Sequence, residues 1–287
     1  QVCSTKRNKF YFSLDRITCP DIYRAGDGVH KVFLTVEKKS KLNPLHPIYL
    51  FLEKRCLQKA KCIVANSEMI RKQIINTYSI NPEKIKVVYN GVESKELDHQ
   101  NSFDRLSKEF SIKENQSILL YVGSGFKRKG VEEFLKIVSR LKNSDIKAFI
   151  IGKEKNIEYY QQLAIALKID NQVVFTGTRE DVNDFYTISD IFLFPTRYEP
   201  FSNVVLEAMS FENAVFTTRQ NGASEILDNE FVMKTPLDFS VVQKIDKLLS
   251  NKEALKVIQK NNKSKSMRFS IEKNLSETLK VINEVIN

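Results

Sequence analysis

Two glutamates, Glu199 and Glu207, stand eight positions apart in the run Phe194-Pro195-Thr196-Arg197-Tyr198-Glu199-Pro200-Phe201-Ser202-Asn203-Val204-Val205-Leu206-Glu207-Ala208-Met209. Residues 190–194, Asp-Ile-Phe-Leu-Phe, read as a short buried strand. Pro195 and Pro200 bracket a loop that is neither strand nor helix interior. From Asn203 the pattern turns helical, with Val204, Val205, Ala208 and Met209 on one apolar face and Ser202 at the N-cap. One carboxylate therefore lies in the loop and the other about one turn into the helix. Between them are the helix's unpaired N–H groups, which favour an anion such as a phosphate. Carboxylates that bind hydroxyls on both sides of a phosphate seat suit a sugar nucleotide. The plainer alternative is a strand–loop–helix unit with two surface glutamates.

A second group of chemical residues lies in Gly123-Ser124-Gly125-Phe126-Lys127-Arg128-Lys129-Gly130. This loop follows a predicted strand and opens a predicted helix. Its glycines do not fall as G-x-G-x-x-G, and Lys129 is followed by Gly130 rather than Ser or Thr, so neither nucleotide fingerprint applies. Arg128 and Lys129 beside flexible backbone at Gly123 can neutralise a diphosphate without a metal ion. A basic surface turn is the alternative.

Alternating elements position these loops. Residues 118–122, 148–151, 173–175, 191–194 and 214–217 read as strands. Residues 131–141, 157–167, 182–188 and 203–209 read as helices between them. Apolar strands alternating with helices imply a parallel sheet covered on both faces, with ligands at the strands' C-terminal ends. In the first part, residues 10–14 read as a strand, and residues 22–30 as a second strand leaving into a glycine-flanked loop around Asp27. Residues 241–249, 252–258 and 271–286 read as helices.

Composition narrows the function class. The chain has 287 residues and a net charge of +10, of which the first 115 residues carry +8. A basic surface faces nucleic acid, an anionic lipid leaflet or a phosphorylated substrate, or simply aids solubility. The aromatic and basic interleaving of an RNA-binding motif is missing, so no nucleic acid partner is expected. No apolar run reaches the roughly 18 residues that span a bilayer. Residues 48–61 place Ile48, Leu50, Phe51, Leu52 and Leu57 at roughly helical spacing among Lys54, Arg55, Lys59 and Lys61, after Lys38, Lys39, Lys41, Pro44 and Pro47. Such a helix packs on its own core or lies on an anionic membrane surface. Cys3, Cys19, Cys56 and Cys62 show no zinc or redox spacing and read as reduced structural thiols of a cytoplasmic protein.

The glutamate run, with Ser189-Asp190-Ile191-Phe192-Leu193-Phe194-Pro195 before it and Glu207-Ala208-Met209 at its end, resembles the signature of retaining glycosyltransferases of family 4. Val64-Ala65-Asn66-Ser67 and Ile85-Lys86-Val87-Val88-Tyr89-Asn90-Gly91-Val92 are similar to that family's interdomain entry. The Gly-Arg-Lys-Gly order of the basic loop, and Tyr23-Arg24-Ala25-Gly26-Asp27-Gly28-Val29-His30, resemble the lipopolysaccharide core glucosyltransferase I type. The resemblance covers nearly the whole chain. It implies an α/β fold of the GT-B kind, two Rossmann-like domains facing a cleft, here with the first one incomplete ahead of Gln1. The chain starts with Gln1 rather than Met, which also reads as a fragment or a processed form. The implied domains are residues 1–115 on the acceptor side, 116–266 for the nucleotide-sugar donor, and 267–287 as a helix crossing back to the first domain.

The resemblance also implies roles. Arg128 and Lys129 grip the donor diphosphate, with Gly123, Ser202 and Asn203 beside it. Glu207 holds the ribose hydroxyls, and Glu199 holds the sugar hydroxyls and orients them. Asp27 takes the place where many family members have a histidine that contacts the donor sugar, with His30 as a second polar contact. Thr178 and Arg179, in Thr176-Gly177-Thr178-Arg179-Glu180-Asp181-Val182, cradle the nucleobase through backbone groups, after a strand placed in the middle of the sheet. Asn221-Gly222-Ala223-Ser224-Glu225 looks like the family's Gly-x-x-Glu segment. The implied reaction is retaining transfer of a hexose, glucose from UDP-glucose, to a lipopolysaccharide core or related glycolipid acceptor. It uses no metal and takes place at the inner face of the cell membrane. The alternatives are a truncated, non-catalytic fragment that binds a nucleotide sugar, or a basic interaction protein on the same fold. Two departures from the family pattern are Ser202, where glycine is usual, and Phe211-Glu212, where Cys-Gly or Ala-Gly is usual.

Overall fold

The computed structural model describes residues 9–37, 43, 45–93, 95–96, 98–143 and 145–287. Its strands form two sheets in which every pairing is parallel. The chain divides into two units. Unit 1 comprises Gln1–Gly91, Tyr198–Phe201 and Ile271–Asn287, and unit 2 comprises Val92–Arg197 and Ser202–Ser270.

Unit 1 runs β1 (Phe12–Ser13), β2 (Ile22–Ala25), α1 (His30–Val36), α2 (Leu45–Lys59), β3 (Cys62–Ala65), α3 (Glu68–Tyr78) and β4 (Ile85–Val87). The strands lie in the order β1-β2-β3-β4. All four residues of β3 are buried, as a parallel strand covered on both faces requires. Helix α3 starts where the Ser67 hydroxyl accepts from the Ile70 N–H, and it stops at Ser79 in the left-handed region.

Unit 2 runs α4 (His99–Phe110), β5 (Ser117–Val122), α5 (Phe126–Lys129), α6 (Val131–Val138), β6 (Ile146–Ile151), α7 (Ile157–Ala166), β7 (Val173–Gly177) and α8 (Val182–Ile188). It continues through β8 (Ile191–Phe194), α9 (Asn203–Ser210), β9 (Ala214–Thr218), β10 (Val232–Met233), α10 (Ser240–Ser250) and α11 (Lys252–Ser266). The sheet order is β10-β9-β8-β5-β6-β7. Chain direction across the sheet reverses between β5 and β8, the doubly wound arrangement of a nucleotide-binding fold. The last helix, α12 (Ile271–Ile286), belongs to unit 1, where Val281, Ile282 and Val285 pack with Ile22, Val64 and Val88.

Several elements differ from the sequence reading. The units divide at Gly91/Val92, not at 115/116, because α4 packs within unit 2. Its Phe110 ring meets Phe149 and Phe185, and its Ser102 hydroxyl donates to Asp184 at 2.8 Å. The later division falls at Ser270/Ile271 rather than 266/267. Strand β7 is at the edge of the sheet, not in its middle. A sheet wound outward from a central reversal puts its third strand at a border, which local pattern does not reveal. Strand β2 ends at Ala25, and His30 opens a helix instead of continuing the strand. The basic stretch after Gly125 is one helical turn, α5, between two left-handed glycines. Cys19 is disulfide-bonded, contrary to the expectation of reduced thiols, whereas Cys56 and Cys62 are free and buried. Spacing rules test near neighbours in sequence and miss distant pairs. Cys3, Lys38, Lys39, Lys41 and Pro44 lie outside the described residues. Among the described residues no helix is long and apolar enough to cross a membrane.

Candidate functional site

The topological reversal in unit 2 defines where a ligand seat is expected. β5 and β8 are neighbours, with Leu119 opposite Ile191 and Leu120 opposite Phe192. Open α/β sheets bind ligands outside the carboxyl ends of the two strands at such a reversal. The loop leaving β5 carries Gly123, Arg128 and Lys129. The chain leaving β8 leads to Ser202, Asn203 and Glu207. The structure thus places these six residues at the same end of one sheet, after adjacent strands.

The two loops are tied to each other. The Arg197 N–H donates to the Arg128 carbonyl at 2.9 Å, and the Thr196 hydroxyl donates to the same oxygen at 3.3 Å. Gly130 has φ of +85°, and a Cβ there would sit 2.0 Å from the Pro195 carbonyl oxygen. Only glycine fits a backbone approach this close at that φ. Arg197 also pairs with the buried Glu133 at 2.5 Å. From β9, the Thr217 hydroxyl donates to the Phe194 carbonyl at 2.8 Å, and the Thr218 hydroxyl to the Thr196 carbonyl at 2.7 Å.

Helix α9 begins beside this network. Ser202 occupies its N-cap position, but its side chain makes no capping bond. The Ser202 N–H instead donates to Asn221 Oδ1 at 3.2 Å. Asn221 is fully buried, and its Oδ1 also accepts from the Ala223 N–H at 3.1 Å while its Nδ2 donates to the Thr217 hydroxyl at 3.1 Å. Asn203 is exposed and Glu207 half-buried. The Tyr186 hydroxyl donates to Glu207 Oε2 at 3.0 Å. Burial, followed by the nearby Glu207 charge, holds Tyr186 well above its usual pKa, so it remains a donor. In α5, the Lys129 ammonium lies 5.7 Å from the centre of the Phe194 ring.

Thr178 and Arg179 follow the edge strand β7, with β6 between that strand and β5. Thr178 is exposed. The Arg179 guanidinium is bidentate to Glu109, at 2.7 and 2.9 Å, and donates twice to Asp181 at 2.8 Å. Those bonds raise its pKa, the Asp181 bonds most. The side chain is thus occupied in fastening α4 to the start of α8.

In unit 1, the turn after β2 carries Asp27, whose side chain is largely exposed and 3.6 Å from Arg16 Nη1. Arg16 also donates to the Gly28 carbonyl at 3.1 Å and to Glu53 Oε1 at 3.1 Å. Glu53, buried on α2, accepts from the His30 N–H at 2.7 Å and the Tyr78 hydroxyl at 2.5 Å. From the Val-Ala-Asn-Ser motif, Asn66 donates to the Gly26 carbonyl at 3.0 Å. The His30 ring lies 5.4 Å from His46 and 5.3 Å from Tyr49, and burial lowers its pKa. It packs in an aromatic cluster rather than on the turn.

Glu199 differs from its sequence assignment. It lies in the segment Tyr198–Phe201, which belongs to unit 1, as Asp27 does. The segment is anchored there by the Tyr198 hydroxyl and by the Ser67 hydroxyl, which donates to the Pro200 carbonyl at 2.9 Å. The Phe201 ring meets Tyr89 at 5.8 Å.

Sequence reasoning passed over Glu53, Arg16, Glu133, Thr217, Thr218, Tyr186 and Tyr198. Only Glu53 carried a signal, an acid among the apolar positions of a helix. Asn221 was noted within a segment, but not as the residue that fixes the start of α9.

The Glycosyl transferases group 1 model matches residues 102–265, and the Glycosyltransferase Family 4 model matches residues 26–96. The chain is 28% identical over 209 residues to the lipopolysaccharide glucosyltransferase WaaG of Escherichia coli, covering 69% of this chain and 55% of that protein. It is 25% identical over 248 residues to the N-acetylgalactosamine-N,N'-diacetylbacillosaminyl-diphospho-undecaprenol 4-alpha-N-acetylgalactosaminyltransferase of Campylobacter jejuni, covering 85% of this chain and 65% of that protein. With other curated relatives it spans 45% and 60% of their length. The crystal structure of WaaG superposes with a TM-score of 0.81 at 21% identity, covering 95% of this chain and 77% of the other. That of Anabaena Alr3699/HepE in complex with UDP-glucose gives 0.77 at 19% identity, covering 92% and 72%. These structural likenesses establish the GT-B fold. With one family model covering more than half of its residues and a second matching the part before it, the chain belongs to the group 1, family 4 glycosyltransferases.

Proposed function

We propose that this chain transfers a hexose, glucose from UDP-glucose, to a lipopolysaccharide core or related glycolipid acceptor with retention of configuration. The observation that carries the reading is the pair of tied loops at the β5/β8 reversal. They hold two cations, Arg128 and Lys129, and the start of α9 at one end of one sheet. Such a seat suits a diphosphate whose negative charge grows as it leaves. Glu207, oriented by Tyr186, accepts from the ribose hydroxyls. Glu199 accepts from the sugar hydroxyls, and Asp27 is a further polar contact to the sugar. Backbone groups at Thr178 and Arg179 meet the nucleobase. The acceptor hydroxyl attacks the anomeric carbon on the face from which UDP departs. The bond to the phosphate oxygen breaks, and that oxygen takes the acceptor's proton. The reading uses no metal ion.

The glycolipid acceptor is supported by the activities of the relatives and by α2. Leu45, Ile48 and Phe51 are exposed on that helix, along with Lys54, Arg55 and Lys59. An apolar and basic face of this kind seats on an anionic bilayer, so binding to anionic vesicles is expected to fall as salt rises.

Calorimetry tests the donor site. Replacing both Arg128 and Lys129 with alanine is expected to weaken UDP binding by about 1.5–3 kcal/mol for each charged hydrogen bond lost. Glu207→Gln is expected to weaken UDP and UDP-glucose together, and Glu199→Gln to impair UDP-glucose alone. Unchanged UDP affinity in the double alanine variant overturns the diphosphate seat. UDP binding without transfer to any glycolipid overturns the enzymatic reading.

A further inference from the structure

Glu199 belongs to unit 1 by a segment only four residues long, so something must fix that segment's conformation. Tyr198 is 3% exposed and lies in the unit 1 core with Val29 and Ile70, its ring centre 6.3 Å from that of Phe33. Its hydroxyl accepts from the Val29 N–H at 3.2 Å and donates to Gln73 Oε1 at 2.9 Å. Two residues on, the Pro200 carbonyl accepts from the Ser67 hydroxyl at 2.9 Å. Glu199 is therefore held on both sides. Gly28 leaves the necessary space: a Cβ there would lie 2.6 Å from the Tyr198 hydroxyl oxygen and 2.7 Å from Pro200 Cγ. Gly28 is also the residue next to Asp27. The turn that carries one candidate carboxylate is thus shaped to receive the segment that carries the other.

We propose that Tyr198 is the positioning residue for Glu199. Its hydroxyl, clamped between Val29 and Gln73, registers the Glu199 carboxylate against the Asp27–Gly28 turn and so sets how strongly the protein distinguishes a sugar nucleotide from the bare nucleotide. Tyr198 itself touches no substrate. Burial pushes its pKa up to about 12, so the hydroxyl stays protonated and donates to Gln73 across the working pH range. A carboxylate must be held to within a fraction of an ångström to orient a sugar, and a side chain in a four-residue strap owes that precision to the groups behind it. The inference rests on the sugar-holding role proposed for Glu199.

The test is a double-mutant cycle on the whole chain, read by calorimetry as the ratio of UDP-glucose affinity to UDP affinity. Tyr198→Phe removes only the hydroxyl and keeps the buried ring. It is expected to lower the ratio about three- to tenfold, the range a single buried hydrogen bond covers, with UDP affinity unchanged. In a Glu199→Gln background the same change is expected to leave the ratio where it was. A merely structural tyrosine would not show that dependence. Gln73→Met keeps the tyrosine and removes its acceptor; it is expected to shift the ratio in the same direction by less, and it serves if Tyr198→Phe does not fold. A normal ratio in both variants while Glu199→Gln lowers it overturns the positioning role and leaves the Glu199 role standing. An equal loss in the presence and absence of Glu199 also overturns it. If Glu199→Gln leaves the ratio unchanged, the sugar-holding role fails and this inference fails with it.

Discussion

The turn after β2 in unit 1 is held by charge. Arg16 reaches Asp27, the Gly28 carbonyl and Glu53, and Glu53 in turn accepts from the start of α1 and from Tyr78. The chain leaving β8 in unit 2 is held mainly by neutral groups: the Thr217 and Thr218 hydroxyls, the Asn221 amide, and a glycine at close approach. The two modes fail differently. Removing one member of a buried ion network leaves the other charge without compensation, which costs more than the pair itself contributes. Removing one hydroxyl or amide from a neutral network leaves a neutral donor or acceptor unpaired, which costs about 1–3 kcal/mol and so less than an orphaned charge. The charged network also joins elements far apart in sequence, since Glu53 lies on α2, the helix with the apolar and basic face.

Four substitutions break or sharpen this contrast. The largest effect is expected from Glu53→Ala, which takes the buried carboxylate from Arg16 and the acceptor from the His30 N–H and the Tyr78 hydroxyl. It should lower unfolding stability by about 3–5 kcal/mol in urea titration, whereas a loss of under about 1 kcal/mol would remove the charged network's special status. Gly130→Ala comes next. Its φ of +85° and the nearby Pro195 carbonyl make any side chain strained, and a loss of at least about 2 kcal/mol is expected in the same assay. Asn221→Ala should cost about 1–3 kcal/mol, because it leaves the Ser202 N–H buried without an acceptor. A cost as large as that of Glu53→Ala would show that neutral and charged loops are equally brittle.

The smallest effect tests a charged tie at the unit 2 surface. The hydrogen bond from Arg179 holds the Asp181 carboxyl below its ordinary pKa of 3.8. A carboxyl depressed in the folded state adds stability above its unfolded pKa and loses it as pH falls through the folded value. Asp181→Asn should therefore be less stable than the parent at about pH 6, and the gap should narrow as pH falls below the ordinary carboxylate range. A gap that stays constant with pH would show that the pairing is structural rather than electrostatic.

Unit 2 was the more legible. Its strand–loop–helix alternation runs in sequence order, and the strands β5, β6, β8 and β9 lie within a residue or two of the spans that apolar runs suggest. The basic loop and the α9 glutamate stand out from their immediate sequence, whereas their shared place at the β5/β8 reversal follows from the strand order. The helices α3 and α4 have no counterpart in the sequence reading. Helix α4 has only Ser102 and Leu106 buried, so little of it carries a core signature. The turn around Asp27 was visible as glycine-flanked, but the groups that hold it come from residues 16, 53 and 66, which no local pattern connects.

The sequence by itself determined the repeating parallel architecture, the basic loop after β5 and the spacing of Glu199 and Glu207. Each of these depends on residues within one or two turns of chain. Only the tertiary structure decided that β7 is an edge strand, that residues 92–115 belong with unit 2, and that Glu199 is carried by unit 1 while Glu207 is carried by unit 2. These outcomes are set by which surfaces bury each other. Tyr198 finds its core among residues 28–73 and not beside its neighbours in sequence, and burial of apolar area depends on no order along the chain.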